Sequence, residues 1–135
     1  MISQLLKFGV VGVIGFLVDA GMLYMLLWSS MGYLSGRCVS FLVAATTTWL
    51  INRRFTFTAG KHRSLPMEWL SYLLAMSAGG LVNFAAYQAV MSSFRYTAIL
   101  PLCAVATGSI AGMIVNFVVA KWWVFRHPKK ADLQH

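Results

Sequence analysis

FGVVGVIGFLVDAGMLYMLLW, residues 8–28, is an apolar run of 21 residues behind a single cation, Lys7, and it carries one carboxylate, Asp19, near its middle. At ~1.5 Å rise per residue, a helix of this length crosses a hydrocarbon core roughly 30 Å thick. A central Asp costs about 3 kcal/mol on insertion scales, whereas each Leu, Ile, Val or Phe returns about 0.3–0.6 kcal/mol. The run holds eleven of those four types. It therefore reads as a transmembrane helix, and Asp19 as a residue that needs a reason to be there.

The rest of the chain suits the same solvent. Of 135 residues, 59% are apolar and 10% charged, and the mean hydropathy is +0.72. Those values lie outside the soluble globular range and indicate an all-α integral membrane protein. The net charge of +8 would suit nucleic acid, but the basic residues sit at the ends of apolar runs and no soluble domain presents them to a duplex. The first run is too long for a signal peptide, has a central Asp and lacks a small-x-small cleavage site, so it is expected to be retained. Cys38 and Cys103 fit no metal-ligand spacing and read as packing residues. No metal or cofactor is expected.

Three more runs follow the first. Leu34–Ile51 contains Arg37; without it, Cys38–Ile51 would span only about 21 Å, so Arg37 snorkels to the headgroups or faces a polar interior. The run closes in NRRFTF, residues 52–57, paired arginines among interfacial aromatics. A basic, Pro-containing link leads to Trp69–Met91, which carries Asn83 and Gln88, and a short turn with Arg95 leads to Leu102–Ala120, which carries Asn116 and closes in KWWVF. The polar tail is expected to fray. Nine Lys and Arg residues fall at the termini and in the middle link, against Arg37 and Arg95 on the other side, which predicts cytoplasmic termini.

The two halves resemble each other. An offset of 64 residues places Gly15 on Gly79 and Asp19 on Asn83, and an offset of 68 places Ser40, Ala44, Thr48, Arg53 and Phe57 on Gly108, Gly112, Asn116, Lys121 and Phe125. The expected architecture is four transmembrane helices as two parallel-repeat hairpins in a single domain: residues 5–57, residues 68–126, and a tail over 127–135. Such repeats are related by an axis along the membrane normal, with sites commonly at their interface. The first and third helices should superpose, with Asp19 and Asn83 at similar depth.

Gly12, Gly15 and Asp19 share one helix face, as do Gly108, Gly112 and Asn116. Small residues on such a face permit close helix approach, either within the chain or, for Gly108 and Gly112, in a homodimer. Asn83, Asn116 and Thr48 could serve only as interhelical hydrogen bonds, whereas an intramembrane carboxylate such as Asp19 marks a functional site. Arg53, Arg54 and Lys121 could merely set topology. Arg53 and Lys121 occupy equivalent places in the two halves, however, and a cation pair at the mouth of a bundle suits a phosphate or pyrophosphate. No Ser-His-Asp set, metal cluster or Gly-rich phosphate loop is present in the sequence. The chain reads as a non-enzyme.

KFGVVGVIGFLVD at the start, NRRFTF after the second run, and V-N-F-x-x-x-K-x-W-V-F over 115–125 together resemble the GtrA-like family of small four-helix membrane proteins, over about residues 5–126. The resemblance implies translocation of a polyprenyl-phosphate-linked sugar, such as undecaprenyl-phosphate glucose, across the bacterial inner membrane for modification of cell-surface polysaccharide. On that reading Arg53, Arg54 and Lys121 receive the phosphate at the cytoplasmic mouth. Asp19, Asn83 and Asn116 accommodate the sugar hydroxyls, Arg37 and Arg95 hold the phosphate on the outer side, and the polyprenyl tail stays among membrane lipids. The family often has Asn-Phe ahead of the first NRR-type motif, where this chain has Thr48 and Trp49. Two rival readings are a proton-coupled exporter of small cations, resembling small multidrug transporters and using Asp19, and a non-transporting subunit that recruits a glycosyltransferase.

Overall fold

Inside a bilayer no water is available to backbone N–H and C=O groups, so each apolar run must satisfy its own as a helix. The computed structural model describes residues 1–57 and 63–126, and the regular structure among them is all helical. Residues 58–62, with Lys61, and the expected tail 127–135, with Lys129 and Lys130, lie outside the described residues. Helix α1 covers Ile2–Trp28, α2 Tyr33–Ile51, α3 Leu65–Ser93 and α4 Leu100–Val119. All four are long and apolar enough to cross a membrane. The protein is an all-α, multi-pass membrane protein.

Two boundaries differ from expectation in ways that matter for function. Helix α3 starts at Leu65, inside the stretch read as a link, because Pro66 falls in the first turn, where a missing N–H costs nothing. That places Glu68 on a helix. At the other boundary, α2 continues into a π turn, Asn52–Thr56, and α4 into a second, Ala120–Val124, so the arginine pair sits on helical backbone. Each π turn closes with a bond five residues back: Phe57 N to Asn52 O at 2.8 Å and Phe125 N to Ala120 O at 2.9 Å. The extra residue rotates the downstream side chains by roughly 100° relative to an uninterrupted α-helix. Both phenylalanines are buried.

Helix α1 packs along α2, and α3 along α4. The seams are built from glycine against a polar side chain. A Cβ at Gly15 would collide with the Thr48 side chain, and one at Gly79 with the Asn116 amide, which is the same contact at offsets of 64 and 68 residues. On α4, a Cβ at Gly108 would come within 2.5 Å of Asn83 Oδ1, and one at Gly112 within 2.8 Å of the Gly79 carbonyl. The Gly108–Gly112 motif is thus used inside the chain.

Between hairpins, packing concentrates at the end that holds both π turns, here the basic end. Phe8, Trp49, Phe57, Tyr72, Phe117 and Phe125 form a buried cluster there. Along α1 no residue beyond Gly15 is buried, and along α3 none beyond Gly79. Between the hairpins lies a cavity that runs from Phe8, Asn52 and Tyr72 past these glycines to Asp19 and Asn83.

Candidate functional site

The cavity measures about 530 Å³ and is lined by all four helices. That is within the roughly 300–1,000 Å³ typical of small-molecule sites. Large apolar residues are exposed on the helix exteriors, among them Leu17, Leu74 and Leu81. Asp19, Asn83 and Asn116, far apart in sequence, all line this one cavity, with Thr48, Asn52 and Tyr72.

Asp19 does not stand alone. Its Oδ2 accepts a hydrogen bond from Arg37 Nη1 at 2.6 Å, and its Oδ1 is buried with no protein partner. Arg37 reaches this carboxylate from an exposed position near the start of α2 and does not itself line the cavity. The pairing offsets part of the cost of placing a carboxylate at this depth and makes the pair electrically neutral. Arg37, expected to hold phosphate, therefore has a carboxylate in that place, although nearly half of its side chain stays exposed.

Arg53 is likewise occupied. Its Nε lies 2.9 Å from Glu68 Oε1, off hydrogen-bonding angle, so the contact is one of charge with charge. The same Oε1 accepts from Trp49 Nε1 at 3.0 Å. Glu68 is 2% exposed, and this ion pair ties the first hairpin to the second. Asn52 Nδ2 donates to the Tyr72 hydroxyl at 2.9 Å and Trp69 Nε1 to Thr46 Oγ1 at 3.0 Å, again between hairpins.

Lys121 takes the matching second position of its π turn, but its ammonium lies over the rings of Phe117 and Trp122, at 5.7 and 5.3 Å from their centroids. Arg53 and Lys121 thus share an end of the bundle but have separate partners. Arg54 is exposed beside them. The basic mouth is, in this conformation, closed: the aromatic cluster fills it. Arg95 is exposed in the turn after α3 and does not line the cavity.

Sequence reasoning missed Glu68, Asn52 and Tyr72. The first had a signal: Pro66 followed by an acid is the pattern of a helix's first turn, where carboxylates are favoured. Among the described residues no group of His, Cys, Asp and Glu has the arrangement of a metal site.

Four membrane-length helices around a mainly apolar cavity that carries a few polar side chains define a small multi-pass membrane protein. The family model described as GtrA/DPMS, transmembrane domain, matches residues 7–125, and the chain belongs to that family. It is also similar to the uncharacterized membrane protein YngA of Bacillus subtilis (strain 168), with 26% identity over 124 residues, covering 92% of this chain and 80% of that one.

Proposed function

We propose that the protein moves a polyprenyl-phosphate-linked sugar across the bacterial inner membrane, from the cytoplasmic to the periplasmic leaflet, for modification of cell-surface polysaccharide. The observation that carries the reading is the cavity: its polar side chains point inward between hairpins whose outer faces are apolar, and its one carboxylate is neutralised by Arg37. A sugar fits such a lining, while the polyprenyl tail remains in lipid.

The two arginines suggest how the phosphate is passed. Each is held by a carboxylate of this chain, Arg53 by Glu68 at the basic end and Arg37 by Asp19 toward the other. A lipid phosphate arriving at either end replaces that carboxylate as the arginine's counter-ion, with Arg54 and Lys121 adding charge at the basic, cytoplasmic end and Arg95 on the outer side. Opening one end and closing the other then needs exchange of ion pairs and no chemical step, so the protein acts as a translocase and not as an enzyme, and net direction follows the donor's gradient.

The neutralised Asp19 counts against the cation exporter, which needs a free acid to bind cargo and proton. A proteoliposome assay holding only this protein tests the reading. Fluorescent polyprenyl-phosphate glucose should change leaflets, and neutralising Arg53 and Lys121 together should stop it while insertion and orientation are unchanged. If the purified wild-type protein leaves the lipid in its original leaflet, the subunit that recruits a glycosyltransferase becomes the better reading.

A further inference from the structure

Asn52 opens the first π turn, is 1% exposed, and lines the closed end of the cavity. Its Nδ2 is taken by the Tyr72 hydroxyl of the other hairpin, and its Oδ1 has no protein partner. Turning the amide over would only exchange the orphan, since a single hydroxyl serves one end of it. Buried polar atoms in folded proteins are nearly always partnered, so an orphan in a cavity wall is where a ligand atom, or the water it displaces, would bind. Asn116 Oδ1 and Asp19 Oδ1 are orphaned along the same lining. Asn116 Oδ1 is lodged against Gly79 in the α3–α4 seam, so Asn52 and Asp19 supply the unpartnered atoms open to a ligand, and a hydroxyl, which both donates and accepts, answers either end of the Asn52 amide. A phosphate dianion has no donor to offer.

We infer that Asn52, oriented by Tyr72, binds a hydroxyl of the cargo's sugar at the closed end of the cavity, and that this pair decides which hydroxyl pattern is accepted. The inference rests on the lipid-linked-sugar reading above. Asn52 is the contact residue. Tyr72 is a positioning residue, held by its edge-to-face packing on Phe125 at 6.0 Å between centroids. Because the two come from different hairpins, the subsite is complete only when the basic end is closed.

The test uses short-chain polyprenyl-phosphate glucose and its four monodeoxy analogues as probes, with binding read by thermal shift in a sugar-free detergent and movement read in proteoliposomes. Wild type should disfavour one deoxy analogue by about tenfold, the worth of one well-placed hydrogen bond. Asn52→Leu should bring that one ratio to within about twofold of unity and leave the other three ratios as they were. Tyr72→Phe keeps the ring and frees the amide, so it should shrink the same ratio and no other; it also keeps the test open if Asn52→Leu fails to fold. Unchanged ratios in Tyr72→Phe together with a folded Asn52→Leu would overturn the subsite, as would absence of binding to every probe. Selective binding without movement across the bilayer would sink the translocase reading and leave the subsite standing.

Discussion

Phe57 and Phe125, 68 positions apart, stack face to face with ring centroids 5.0 Å apart and 15° between their planes. Each directly follows a π turn and each packs edge-on against one ring of its own hairpin: Phe8–Phe57 at 6.1 Å and 63°, Tyr72–Phe125 at 6.0 Å and 60°. Phe8 and Tyr72 are themselves 64 positions apart, the offset that relates α1 to α3. The stacked pair therefore sits where equivalent positions of the two hairpins meet, and it holds the closed end of the cavity.

Replacing either phenylalanine by alanine should leave a cavity in that cluster. The expected loss is about 3 kcal/mol for Phe57→Ala or Phe125→Ala in detergent, and the double variant should lose less than the sum because the two rings share a contact. Chemical denaturation of the three variants measures both. Strict additivity would mean that the rings do not support each other.

Glu68→Gln should loosen the basic end. The amide can still accept from Trp49, but Arg53 is left without its counter-ion; because its side chain is 29% exposed, the expected cost falls below the roughly 3–5 kcal/mol of a fully buried pair. In a background with Cys38 and Cys103 replaced, a cysteine at Ala75, which is 1% exposed, should react faster with maleimide once Glu68 is changed. An equal rate would show that the ion pair does not hold the hairpins together.

The glycines divide into two groups. Gly79→Ala drives a methyl into the Asn116 amide, and Gly112→Ala drives one onto the Gly79 backbone, so both should lower the melting temperature. Gly12 and Gly80 line the cavity with nothing within 4 Å of an added Cβ, so alanine there should be neutral or stabilise by about 1 kcal/mol through helix propensity. The same effect for all four would mean that Gly79 and Gly112 do not sit in tight seams.

Asp19→Asn tests the intramembrane pair. It leaves Arg37 unpaired, and adding Arg37→Gln should recover part of the loss, with a coupling of about 1 kcal/mol because Arg37 is nearly half exposed. For transport, Asp19→Asn should slow the sugar lipid only partly. Proton-driven uptake of a cation that is present in wild type and absent in this variant would instead favour the exporter.

Four spans, the 64- and 68-residue offsets, and the polar positions Asp19, Asn83 and Asn116 were all legible in the sequence. The bilayer makes them so, since it forces every apolar run of about 20 residues into a helix and leaves each polar interruption visible against a uniform background. The partners of those residues were not legible. That Asp19 meets Arg37, that Glu68 meets Arg53, that Asn52 lies under Tyr72 and that the basic end is shut by stacked rings were decided by tertiary structure alone. Each depends on how a helix is rotated about its axis, and a helix apolar on nearly every side carries little periodicity to set that rotation. Here it is set by the fit of Gly15 to Thr48 and of Gly79 to Asn116, and by two π turns that reorient the residues after them. These are short-range contacts that form only when the helices have come together.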